Sequence, residues 1–174
     1  MNKAIFLDRD GVLNDVVIEK NFTRPPYNKK ELKICYENIK NINLLNNKYF
    51  FFIITNQPDI KRGKQTKEFN DYINQRILKL INIKEIGTCL CFEEESDCTC
   101  YKPRPGMLEK LNKKWKINFN ESFVIGDRWR DIEAGKAVGC KTIFLKKKYN
   151  ISDLTRINPN YIVRNLKNID KIIL

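Results

Sequence analysis

The chain contains no histidine. That excludes a Ser-His-Asp or Cys-His catalytic apparatus. Acid–base work must fall to carboxylates, lysine, tyrosine or cysteine, and any zinc site must be built mainly from thiolates. Long apolar runs are missing too. The longest, Tyr49–Thr55, is far short of a bilayer crossing and suits a buried strand. No basic segment followed by an apolar region opens the sequence, because a strand signal begins at Ala4. The expectation is a cytoplasmic protein without membrane association. No Gly- or Ser-rich linker and no internal repeat divides the chain.

What is present fits one globular domain spanning residues 1–174, with 42% hydrophobic and 31% charged residues. The formal charge of +12 raises nucleic-acid binding as a possibility. Lysines are spread along the whole length, however, and only Lys146–Lys148 forms a run, which reads as a solvated loop. The composition is basic throughout, with a field that attracts an anionic substrate; dedicated nucleic-acid binding comes second.

Strand signals at Ala4–Leu7, Tyr49–Thr55, Gly87–Phe92, Ser122–Ile125 and Thr142–Leu145 alternate with helical patterns. The helices are expected near Glu37–Asn46, Thr66–Ile81, Gly106–Trp115 and Trp129–Val138. A short strand at Tyr161–Val163 and a helical turn near Ile169 close the chain. This alternation predicts βαβ units in a three-layer, doubly wound α/β fold with a mostly parallel sheet. Between Asp15 and Glu31 a loop containing Arg24-Pro25-Pro26-Tyr27 is stiffened by its prolines.

Four motifs fall at the C-terminal ends of successive predicted strands, where open α/β sheets place ligands. They are Asp8-x-Asp10-Gly11, Thr55-Asn56-Gln57, Lys102-Pro103-Arg104-Pro105-Gly106 and Gly126-Asp127-Arg128-x-x-Asp131. Two carboxylates one residue apart repel unless a cation or proton lies between them, which points to Mg²⁺ and phosphate chemistry. In this order the four motifs resemble the haloacid dehalogenase-like phosphohydrolases over most of the chain. The resemblance implies a Rossmann-like fold, Asp8 as the nucleophile that forms an aspartyl-phosphate, and Asp10 as the acid–base group. It also implies phosphate or substrate binding by Thr55, Asn56, Gln57, Lys102, Arg104 and Arg128. Mg²⁺ would be held by Asp8, by Asp10 through its backbone carbonyl, and by Asp127. Asp131 either joins the metal or orients the lysine. Roughly forty residues separate Asp10 from the second strand, too few for a large cap domain.

Cys89, Cys91, Cys98 and Cys100 form a C-x-C…C-x-C array within residues 89–100. In a cytoplasmic chain this reads as a tetrahedral structural Zn²⁺ site rather than disulfides. Cys35 and Cys140 stand apart and are expected to be buried small residues. A zinc loop before K-P-x-P-G-M, with D-R-D-G-V-L-N and T-N-Q, resembles the heptose bisphosphate and histidinol phosphate phosphatase branch. Within it, the D-glycero-D-manno-heptose 1,7-bisphosphate phosphatases are most similar. Two departures stand out. Cys91 replaces a histidine usual in those relatives, and Tyr101 replaces a residue often basic there, leaving Arg104, Arg62 or Arg24 to meet a second phosphate. The implied function is Mg²⁺-dependent hydrolysis of a small sugar bisphosphate, at the heptose C7 phosphate, by a monomer. The alternatives are a histidinol-phosphate or other small-phosphomonoester phosphatase, a polynucleotide 3′-phosphatase, and a non-catalytic zinc-containing nucleic-acid module.

Overall fold

Apolar residues alternate between two buried sets along the central strands, and each set is covered by its own layer of helices. The computed structural model of the chain describes residues 1–20 and 22–174. Its main sheet has six strands: β1 (Ala4–Leu7), β4 (Phe50–Asn56), β5 (Ile83–Cys89), β6 (Phe123–Gly126), β7 (Lys141–Leu145) and β8 (Tyr161–Val163). Their order is β5-β4-β1-β6-β7-β8, and every pairing is parallel. Ile5, Leu7, Phe51, Ile53, Phe123 and Ile125 pack on one face against α1 (Tyr36–Asn43) and α3 (Lys67–Leu78). Ala4, Phe6, Phe52, Ile54 and Val124 pack on the other, against α4 (Gly106–Trp115) and α5 (Trp129–Ala137). The period of two along a strand explains this division, and burial on both faces explains why these strands read as continuous apolar runs.

The connection leaving β1 runs toward β4, whereas that leaving β6 runs toward β7. The two strands are neighbours, so their C-terminal ends form a topological switch point, where the diverging connections open a crevice. Asp8 and Asp127 follow these two strands directly. Thr66 caps α3 by accepting the Phe69 N–H at 3.1 Å.

Three segments depart from the sequence expectation. Strand β5 lies at Ile83–Cys89, several residues earlier than Gly87–Phe92. It is an edge strand with Lys84 and Glu85 in it, so it lacks the apolar run that marks a buried strand. The Asp15–Glu31 loop holds a hairpin of β2 (Val17–Glu19) and β3 (Phe22–Arg24); position 21 lies outside the described residues. A one-turn helix α2 (Pro58–Lys61) follows β4, and α6 (Asp170–Ile173) supplies the expected turn at the end. Among the described residues, no helix is long and apolar enough to cross a membrane. Nor does any cap-sized unit interrupt the elements that carry the four motifs. Cys140 is buried as expected, but Cys35 is only partly so.

Candidate active site

The switch point carries a small cavity of about 240 Å³, with Asp8, Asp127, Lys102 and Asp131 among its lining residues. Lys102 is almost wholly buried and its ammonium is fully engaged. Nζ donates to Asp8 Oδ1 at 2.8 Å, to Asp131 Oδ1 at 2.6 Å and to the Ile54 carbonyl at 2.8 Å. Burial works against its charge, but the Asp131 and Asp8 carboxylates outweigh burial and raise its pKa. Burial, followed by the Asp131 charge, pushes Asp8 up to about 7 even though Lys102 pulls the other way. Asp127 is raised well above the usual carboxylate range by burial and by Asp8 and Asp131.

Carboxylate oxygens of Asp8, Asp127 and Asp131 lie within 4.8 Å of one another. Three acids against one ammonium leave this buried cluster short of positive charge. Asp127 Oδ1 is buried without a partner, while Oδ2 accepts from the Tyr149 hydroxyl at 2.6 Å. Gly11, at φ +99°, sits where any Cβ would overlap the Asp127 carboxylate. An unpartnered oxygen in an all-oxygen, anionic cluster fits Mg²⁺, which favours carboxylates and retained waters.

Asp10 lines the same cavity but stands outside that three-acid group. It accepts from Gln57 Nε2 at 2.5 Å, Asn14 Nδ2 at 2.9 Å and Arg9 at 3.1 Å. Arg9 is wholly buried and is fixed by Asn70 at 2.5 Å and Asn74 at 3.1 Å, both on α3.

The remaining sequence candidates divide. Thr55 and Arg128 line the cavity. Arg128 donates to Asp153 at 2.9 Å and to Thr23 at 3.0 Å. Asn56 also reaches the cavity, but its amide clamps the Lys102 backbone, accepting its N–H at 3.1 Å and donating to its carbonyl at 3.2 Å. Gln57 is fully buried behind the cavity, bonded to Asp10 and to Thr55 Oγ1 at 2.7 Å. Arg104 does not face the cavity. Its guanidinium donates to the carbonyls of Glu95 and Cys98 at 2.7 Å each and of Glu93 at 2.9 Å, stitching the cysteine loop together. Asp131 Oδ2 accepts the Arg128 N–H at 3.0 Å, so both of its oxygens are in use.

All four cysteines of the array converge, their sulfurs lying within 4.8 Å of one another. Cys89 and Cys98 sulfurs are 3.6 Å apart, Cys98 and Cys100 sulfurs 3.4 Å, and Cys100 and Cys89 sulfurs 2.7 Å. These spacings are shorter than the roughly 3.8 Å of a tetrahedral Zn–S₄ centre, but four converging thiols are the donor set of a closed structural zinc site. Burial disfavours the Cys98 thiolate, but hydrogen bonds involving Cys91, the Tyr101 N–H and Cys100 outweigh it and bring its pKa down to about 6.

Sequence reasoning did not find Tyr149 or Arg130. Arg130 lines the cavity, pairs with Glu93 at 2.5 Å and stacks over Trp129. Tyr149 falls in a lysine-rich stretch, and nothing in its neighbours signals a link to Asp127 more than twenty residues earlier.

A family model described as HAD-hydrolase-like matches residues 99–169. D-glycero-alpha-D-manno-heptose-1,7-bisphosphate 7-phosphatase of Photorhabdus laumondii is 36% identical over 83% of this chain and 82% of its own length. D-glycero-beta-D-manno-heptose-1,7-bisphosphate 7-phosphatase of Helicobacter pylori is 32% identical over 77% of each chain. The crystal structure of D,D-heptose 1,7-bisphosphate phosphatase from B. bronchiseptica, complexed with magnesium and phosphate, superposes with a TM-score of 0.82. It is 20% identical and covers 98% of this chain and 97% of its own, a likeness of fold.

Proposed function

The chain belongs to the haloacid dehalogenase-like hydrolases, in the heptose bisphosphate phosphatase branch, and from that premise we propose that it removes the C7 phosphate of D-glycero-D-manno-heptose 1,7-bisphosphate. One observation carries the chemistry: the Lys102 ammonium is held between Asp8 and Asp131, beside an Asp127 oxygen that has no partner. Asp8, Asp127 and the Asp10 carbonyl would hold Mg²⁺, which supplies charge neutralisation for an otherwise repulsive phosphate dianion.

Asp8 attacks phosphorus and becomes the aspartyl-phosphate. Lys102 keeps one oxygen of Asp8 fixed and stabilises charge on the transferring group, while Asp131 orients the lysine. Asp10 donates a proton to the bridging sugar oxygen, which leaves as the alcohol, and then takes one from the water that attacks the phosphoryl group. Gln57, Asn14 and Arg9 hold its carboxylate for both steps. Asn56 works one step back, setting the place of Lys102.

A donor inventory bears on the second phosphate. Arg24 spends its guanidinium on Glu19, Glu31 and the Pro25 carbonyl. Arg104 spends its own on the cysteine loop. Arg62, Arg128 and Arg130 line the cavity with donors to spare, and these three form the proposed anion-binding rim. The open mouth suits a small phosphorylated sugar, and the site is proposed to work in a cytoplasmic monomer.

The test is a set of specificity constants for both anomers of the heptose bisphosphate, other sugar phosphates, histidinol phosphate and a 3′-phosphorylated oligonucleotide, with and without Mg²⁺. The heptose bisphosphate should lead and require the metal, and Asp8→Asn should abolish turnover in a folded protein. A clear preference for histidinol phosphate or the oligonucleotide, or near-normal activity of the variant, would overturn the reading.

A further inference from the structure

The segment that follows β7 grips the start of the fourth motif at three places. Asn150 is buried and donates to the Asp127 carbonyl at 2.6 Å and to the Leu145 carbonyl at 3.0 Å. Asp153 accepts from Arg128 Nε at 2.9 Å and from the Trp129 N–H at 3.0 Å. Between these, Tyr149 points its hydroxyl at Asp127 Oδ2, 2.6 Å away. The phenol is not among the groups lining the catalytic cavity; it lines cavities on the side of the β2–β3 hairpin. Tyr149 therefore meets Asp127 from behind, and Gly11 closes on the same carboxylate.

The consequence is a limit on how many oxygens the acids can offer. Asp131 has both occupied, by Lys102 and by the Arg128 N–H. Asp8 has Oδ1 occupied by Lys102. Asp127 has Oδ2 occupied by Tyr149 and only Oδ1 left over. Mg²⁺ takes six oxygens at short, regular distances and keeps waters, so single oxygens from a few carboxylates suit it. Ca²⁺ takes six to eight at longer distances and gains from carboxylates that clasp it with both oxygens. A phenol O–H bonded to Oδ2 opposes that clasp.

We propose that Tyr149 is a positioning residue that restricts Asp127 to one-oxygen ligation and so makes the site discriminate in favour of Mg²⁺ over Ca²⁺. The proposal rests on the reading of Asp127 as a metal ligand. Tyr149 touches neither substrate nor reacting atoms; it acts through Asp127, as outer hydrogen-bond partners of metal ligands do.

The experiment uses the full chain with its cysteine loop intact. Mn²⁺ bound to the protein is followed by electron paramagnetic resonance, and Mg²⁺ and Ca²⁺ are titrated as competitors. Tyr149→Phe removes only the hydroxyl. It should weaken Mg²⁺ by about tenfold, in the range found when outer partners of metal ligands are removed. Ca²⁺ should be unchanged or tighter, so the ratio of the two constants shifts about tenfold toward Ca²⁺. Lys148→Ala, an exposed neighbour, should leave the ratio alone. A ratio in Tyr149→Phe within about twofold of the parent overturns the proposal, as does an equal shift in Lys148→Ala. A general loss of packing would weaken both ions alike and leave the ratio where it was. The parent protein gives a further arm that no variant's folding can spoil: Ca²⁺ binding as tightly as Mg²⁺ overturns the proposal outright. Asp127→Asn separates the two levels. If it leaves Mn²⁺ and Mg²⁺ binding unchanged, the metal-ligand reading itself has failed. If it abolishes binding while Tyr149→Phe changes nothing, only the role of Tyr149 has failed.

Discussion

At the scale of single residues, the site depends on acids placed where burial alone would keep them neutral. Asp8 is pushed up to about 7, by burial first and the Asp131 charge second, and Asp127 is also raised, by burial and then by Asp8. In the unfolded chain the same carboxylates titrate near 4. Between about pH 4 and 7 the metal-free native state therefore holds protons that the unfolded state has released, so stability falls as pH rises through that window. A bound dication reverses the preference by favouring the ionised acids. With Mg²⁺ omitted and the cysteine-loop zinc left in place, stability should decline from pH 5 to 7, by an amount on the order of a few kcal/mol. Saturating Mg²⁺ should remove most of that decline. Equal slopes with and without Mg²⁺ would show that Asp8 and Asp127 do not share a metal.

At the scale of elements, residues that look alike in sequence do different work according to what their segment must hold. Arg104 follows Lys102 by two positions and reads as a substrate contact, yet its three carbonyl partners all belong to the loop between Cys91 and Cys100. Those carbonyls have no strand or helix to satisfy them, so an arginine with a fixed fork of donors does so instead. Arg104→Ala should leave KM for the bisphosphate within about twofold, but should speed proteolysis at Phe92–Asp97 and loosen zinc. Metal analysis and limited digestion would decide it; a large KM effect with an intact loop would return Arg104 to the substrate. The same contrast explains what the sequence made legible. Strands β1, β4, β6 and β7 are buried on both faces and read directly as apolar runs, and motif acids follow β1 and β6. Strand β5 lies earlier than its sequence signal because an edge strand carries charge, while the apolar-looking Thr88–Phe92 stretch holds two of the four converging cysteines. The β2–β3 hairpin has only three residues per strand and little buried surface, too short for a period-two pattern to register. Tyr149 was invisible because its partner is distant in sequence and the contact is a single hydrogen bond.

At the scale of the whole molecule, the net charge of +12 acts in two ways that salt can separate. Scattered surface lysines create a long-range field that draws in any anion and is screened within about 8 Å at physiological ionic strength. Arg62, Arg128 and Arg130 line the cavity, and the proposed rim would act only at short range. A sugar bisphosphate carries about twice the charge of a monophosphate near neutral pH, so its capture should respond about twice as steeply to salt through the long-range field. The short-range rim adds a preference that salt does not erase. Measured from low to high ionic strength, kcat/KM should fall for both substrates and fall faster for the bisphosphate. The bisphosphate should nevertheless remain the better substrate at the highest salt. If its advantage vanishes there, the preference belongs to the diffuse field and the rim arginines contribute nothing specific. If the advantage persists in the parent but collapses in Arg130→Ala at high salt, the second phosphate is recognised at the cavity wall. A basic chain has then become selective through three side chains, with the remaining charge governing only the rate of encounter.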